Sequence, residues 1–169
     1  MRTNATKKIT HPPMIMIKVD IQRVTTSPEL PENQQIRSWV KSTMAAVDKK
    51  NRELTVRIVD EEEGTQLNEH WRKKKGSTNV LSFPSGDAKQ YTPGLLGDIV
   101  LCAPVIIREA GEQKKTLESH WAHMIIHGTL HLLGYDHIKA EEAEEMELLE
   151  IRILESLGYK NPYQYNETV

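Results

Sequence analysis

Up to Cys102 the chain alternates short apolar runs with turn residues; beyond it, long helical patterns dominate. Residues 14–22, MIMIKVDIQ, are rich in β-branched and apolar side chains and predict a buried strand. The next segment, PENQQIRSWVKSTMAAVDKK, sets Ile36, Trp39, Val40, Met44 and Val47 on one helical face. ELTVRIVD, residues 53–60, alternates Leu54, Val56 and Ile58 with Thr55 and Arg57 and predicts a second strand. Strand, helix and strand of these lengths predict a right-handed parallel crossover. Asp60 is suited to cap a short acidic helix running toward Trp71, whose register with Leu67 makes it a core anchor. NVLSF (79–83) and GDIVLC (97–102) are the third and fourth strands. Pro84, Gly86, Pro93, Gly94 and Gly97 make their connection a loop and not a tight hairpin.

From Ala103 onward three helical patterns follow. PVIIREAGEQKK carries a proline suited to a first turn. TLESHWAHMIIHGTLHLLG is apolar nearly all round, as a helix buried within a small domain must be. AEEAEEMELLEIRILESLG spaces Ala143, Met146, Leu149, Ile153, Leu154 and Leu157 helically, and Gly158 closes it. No repeat or internal boundary interrupts the pattern. The expected organisation is one mixed unit over 14–158, a small sheet packed around a buried helix near the C-terminus. A flexible N-terminal extension (1–13) and a C-terminal tail (159–169) flank it.

Composition narrows the class. The 169 residues suffice for a sizeable core, and a formal charge of -2 gives no global field for nucleic acid, so binding of that kind requires a local patch. The single cysteine, Cys102, excludes an intramolecular disulfide and a cysteine-cluster metal site and suits a small buried residue in a reducing compartment. MIMI is far shorter than the roughly 20 apolar residues of a membrane span, and no secretory h-region precedes it. The expectation is a cytoplasmic protein that makes no use of a membrane.

HGTLHLLGYDH, residues 127–137, carries the chemistry. At about 100° per residue His127 and His131 lie about 40° apart, one turn above the other, and can share an ion. Gly134 can adopt the left-handed conformation that ends a helix, so that the chain turns and brings back His137. Three neutral imidazoles leave one corner of a tetrahedron open, the mark of a reactive site rather than a structural one. Asp136 is read as a cap of the following helix in preference to a group orienting an imidazole. His120 and His123, upstream on the same helix, are read as satisfied core histidines.

In peptidases with this histidine spacing, a glutamate follows the first histidine and handles the proton. Here that residue is Gly128, which leaves peptide hydrolysis without its base and is expected to leave room for a bulky group beside the metal. A phosphodiester suits such a site, and Arg72 with Lys73, Lys74 and Lys75 offers cations for it. The planar fork of Arg72 can hold a phosphate with two hydrogen bonds. Trp71 could stack on a base, although the core role fits its register better.

AHMIIHGTLHLLGYDH, WRKKKGSTNVLSFP and LLGDIVLC, in this order and at these intervals, resemble the bacterial YbeY family of zinc-dependent single-strand endoribonucleases, also described as rRNA maturation factors. The resemblance spans roughly residues 15–158. It implies an α+β fold: a mixed four-stranded sheet packed with about five helices, loosely zincin-like, with a buried histidine-bearing helix. It further implies one Zn²⁺ per chain on His127, His131 and His137, and an RNA-contacting or catalytic arginine at Arg72. Single-stranded RNA, rRNA and ribosomal components are the implied partners, in 16S rRNA 3′-end processing and 70S ribosome quality control. The family often has tyrosine before that arginine, and Trp71 keeps the aromatic character.

Asp98, opening the fourth strand, is the remaining acidic candidate: a backbone-satisfied strand-end residue, or an orienting or proton-accepting group beside the metal. Asn79 and Ser82 are candidates for positions facing the cleft. Two other functions compete with the endoribonuclease. A zinc metallohydrolase of peptidase type lacks its glutamate, and a zinc-stabilised RNA-binding assembly factor would keep the cations without turnover.

Overall fold

The computed structural model describes residues 16–164. Its strands are β1 (Ile17–Val24), β2 (Arg52–Val59), β3 (Val80–Pro84) and β4 (Leu95–Cys102). The helices are α1 (Asn33–Ala46), α2 (Glu61–Arg72), α3 (Ala103–Glu112), α4 (Leu117–Leu132) and α5 (Ala140–Ser156). The sheet runs β1-β2-β4-β3, with β1, β2 and β4 parallel and β3 antiparallel to β4. This is the expected α+β fold with a mixed four-stranded sheet and five helices. A 3₁₀ turn, Gly86–Gln90, occupies the loop between β3 and β4.

Helix α4 lies at the centre because its sequence offers no solvent face. Trp121, Ile125, Ile126 and Leu130 are fully or almost fully buried. They share one core with Ile58, Ile99 and Leu101 of the sheet, Ile36 and Met44 of α1, and Ile153 and Leu154 of α5. Burying each such aliphatic side chain contributes about 1.5–3 kcal/mol. On the other face a smaller cluster of Val59, Leu81 and Val100 meets Leu67 and Phe83, so α2 covers the sheet from the opposite side. Strand alternation sorts the residues: Ile99 and Leu101 face α4, whereas Val100 faces α2.

Three local expectations change, and part of the first predicted strand lies outside the described residues. Residues Met14 and Ile15 of the first predicted strand, like the extension 1–13, lie outside the described residues. The strand itself is at the edge of the described sheet, with only Val19 buried, because no strand among the described residues covers its outer side. Asp60 stands at the N-cap of α2 without capping it; its carboxylate accepts hydrogen bonds from Thr25 and Thr26 after β1. Trp71 is no core anchor: it is 63% exposed, held edge-on against Phe83 at a ring separation of 6.3 Å. The chain after Gly158 also stays against the domain where it is described, with Tyr159 edge-on to Trp39 at 6.5 Å.

Candidate metal centre

His127 and His131 occupy the last two turns of α4, a helix that opens with the Thr116 hydroxyl accepting from Ser119 N–H. Its end is built by Gly134, whose φ of 98° is open to glycine at little cost. There the Gly134 N–H donates to the His131 carbonyl and the Tyr135 N–H to the Leu130 carbonyl, which closes the helix and reverses the chain. The reversal places the His137 ring 4.9 Å from that of His131 and 5.7 Å from that of His127. Asp136 contributes to this turn and not to the next helix: its Oδ1 accepts from the His137 backbone N–H, while Lys139 stands at the N-cap of α5.

One nitrogen from each of the three rings lies within 4.8 Å of the others. The Nε2 atoms of His127 and His131 are 3.1 Å apart. Two ligands of a tetrahedral ion at about 2.0–2.1 Å should be separated by about 3.3 Å, so the pair fits zinc with almost no movement. The ligand type fits as well, since only neutral imidazole coordinates. Burial, with the neighbouring His127 and His137 rings, lowers His131 from 6.5 to about 4, which keeps it deprotonated at neutral pH.

The group behind this centre is Glu150 of α5, which the sequence reading overlooked. It is 1% exposed, and its Oε1 lies 2.7 Å from His127 Nδ1 while Oε2 contacts His123 Nε2. Burial alone would raise this carboxyl; hydrogen bonds from His123 and His127, with any positive charge on those rings, outweigh it and hold Glu150 at about 2. Burial lowers His123, so the pair is a carboxylate beside a neutral imidazole. With Nε2–H of His123 donating, its Nδ1 keeps a lone pair, and this buried atom has no hydrogen-bond partner among the described residues. Likewise, donation from Nδ1–H of His127 leaves its Nε2 free for a cation. A signal was available: Glu150 falls on the stripe of Met146, Ile153 and Leu154, where a charge needs a buried partner. His120 is buried in the same column and pairs through Nε2 with Glu109 at 3.1 Å.

The centre opens into a cleft of about 580 Å³ walled by α4, β3 and the end of α2. All three histidines line it, as do Arg72, Lys74 and Tyr135. Arg72 is exposed in the last turn of α2, where the helix dipole favours cations. Among the described residues no carboxylate pairs with it. Ser82 and Asn79 also line the cleft, but their side chains are committed: Ser82 Oγ donates to the Gly128 carbonyl at 3.1 Å, and Asn79 Nδ2 donates to Glu109. Asp98 is not brought to the centre. It pairs across the sheet with Phe83, exposed on the α2 side and turned away from the histidine helix by strand alternation. Cys102 is buried, as expected.

Gly128 corrects another expectation, for no room for a substrate lies beside it. A Cβ at that position would sit 2.8 Å from Ile99 Cγ2 and 3.1 Å from Val80 Cγ2. The helix lies directly on the sheet there, so glycine is demanded by packing.

Comparison with known proteins agrees with this architecture. Residues 20–158 match the family model described as "Endoribonuclease YbeY". The chain is 50% identical over 151 residues to "Endoribonuclease YbeY" of Coxiella burnetii strain Dugway 5J108-111, covering 88% of this chain and 99% of that protein. The same figures hold for the protein of that name in strain RSA 331 / Henzerling II. The solution structure of TM1509 from Thermotoga maritima superposes with a TM-score of 0.55 at 25% identity, over 91% of this chain and 99% of that one. The chain belongs to the YbeY endoribonuclease family.

Proposed function

We propose that this protein is a zinc-dependent endoribonuclease that cuts single-stranded RNA in the cytoplasm. Its assignment is 16S rRNA 3′-end maturation and late-stage 70S ribosome quality control, with rRNA and ribosomal components as partners. The observation that carries the reading is the convergence of three imidazoles in a cleft also lined by Arg72, which pairs with no carboxylate among the described residues. His127, His131 and His137 would hold one zinc ion. When bound, zinc supplies Lewis acidity toward a phosphoryl oxygen and toward water.

The remaining work falls to side chains of this chain. Arg72 holds a non-bridging phosphate oxygen pair in its planar fork, and Lys74 adds positive potential along the backbone of the strand. Glu150 keeps His127 in the Nδ1–H tautomer and sets one negative charge behind the ligands. Trp71, exposed beside Arg72, offers a face on which a neighbouring base can stack, a contact that every base can make. Asp98 has no part in this arrangement. A peptidase reading is disfavoured because the sheet fills the space that a glutamate at position 128 would need.

The test is cleavage of a single-stranded RNA by purified protein, with and without chelator, beside a His131→Ala variant. Chelation and the substitution are each expected to abolish cleavage, and zinc to restore only the wild type. Equal cutting by the variant would overturn the metal-centred reading. RNA binding without turnover would favour the assembly-factor role.

A further inference from the structure

The buried carboxylate of Glu150 has a third donor, and it comes from beyond the part of the chain that the family model matches. The hydroxyl of Tyr163 donates to Glu150 Oε2 at 2.6 Å. Its ring stands edge-on to that of His123 at 5.5 Å. The family match ends at residue 158.

The path from α5 to this contact is specified locally. Gly158, at φ 88°, lets the helix stop, and Tyr159 is pinned against Trp39. The Asn161 side chain then accepts from Tyr163 N–H at 2.9 Å, a turn reinforced by Pro162. That turn aims Tyr163 back across α5. The residue is 38% exposed, yet its polar end reaches a carboxylate that is 1% exposed. Burial and the charge of Glu150 push the Tyr163 hydroxyl up, so it remains a donor.

Glu150 Oε1 therefore faces His127, and Oε2 receives Tyr163 and His123. A carboxylate free to rotate would present its oxygens to His127 at varying angles; donors on both oxygens fix the plane of the group. From this geometry we infer that Tyr163 is a positioning residue for the metal centre, acting through Glu150 to hold the His127 imidazole in its coordinating orientation. The C-terminal segment thus braces the centre from behind, on the side away from RNA. This inference rests on the reading of His127 as a metal ligand.

The experiment is a zinc-affinity measurement by chelator competition on the full chain. The proteins compared are wild type, Tyr163→Phe, Tyr163→Ala, Glu150→Gln, and the double variant Tyr163→Phe/Glu150→Gln. Loss of an outer-shell partner lowers metal affinity by about 10–100-fold, and Tyr163→Phe is expected at the low end of that range. In the Glu150→Gln background the same substitution should cost little further, because its route to His127 is already broken. Wild-type affinity in Tyr163→Phe overturns the inference, even if Tyr163→Ala is weakened, since the ring alone would then matter. Additive losses in the double variant also overturn it. A His137→Ala control separates the two readings. If it binds zinc as tightly as wild type, the ligand assignment itself fails; if it loses zinc while Tyr163→Phe does not, only the brace fails.

Discussion

Ile99 of β4 stands where any side chain at Gly128 would have to go, its Cγ2 2.8 Å from the Cβ that an alanine would add. The glycine that follows His127 is thus a packing device. It lets α4 lie flat on β3 and β4, with the Ser82 hydroxyl donating to the carbonyl of the buried Gly128. Gly128→Ala is expected to destabilise the fold. Alanine gains about 1 kcal/mol of helix propensity. Overpacking against a branched side chain held in a strand costs about 1–3 kcal/mol. A urea unfolding series should show a lower midpoint, and a raised midpoint would contradict this packing.

In the proposed function Arg72 serves the substrate and not the metal. Arg72→Ala should lower kcat/KM for single-stranded RNA by about 10²-fold or more while zinc content stays at one per chain. Arg72→Lys should recover only part of the loss, since an ammonium cannot grip phosphate with two parallel bonds. Paired kinetics and elemental analysis check both statements.

Trp71 tests the stacking surface beside the cleft. Because it is exposed, Trp71→Ala should leave thermal stability nearly unchanged and weaken RNA binding by about 10-fold, within the range for one base–aromatic stack. Trp71→Tyr should retain most of the affinity. Fluorescence or filter-binding titrations at fixed salt decide it; equal affinity in Trp71→Ala removes the residue from the interface.

The metal-free protein should lose stability in two pH windows. His131 has its folded-state value lowered from 6.5 to about 4, so below 6.5 the unfolded chain takes up a proton that the native one refuses. Stability therefore falls as pH drops from 6.5 toward 4. Glu150 is lowered from 4.5 to about 2, so the stability it contributes is full above 4.5 and lost as pH falls toward 2. Denaturant midpoints across pH should decline through both windows. In Glu150→Gln the lower window should flatten; persistence of the full decline would mean that other carboxyls cause it.

The order of elements, the convergence of His127, His131 and His137, and the glycine that turns His137 back were all readable from spacing, because helix periodicity and terminal glycines act over a few neighbouring residues. The cationic run after Trp71 was readable for the same reason. Three other matters depend on contacts between residues far apart in the chain. Trp71 has a core-like register but stays exposed against His70 and Phe83, and Asp98 keeps its place on a strand yet faces away from the histidine helix. Glu150, one glutamate among many in α5, is distinguished by lying under His127, 23 positions earlier in the chain. Periodicity assigns a residue to a face of its own helix or strand; only the packing of α5 on α4 and of α4 on the sheet selects the partner that face will meet.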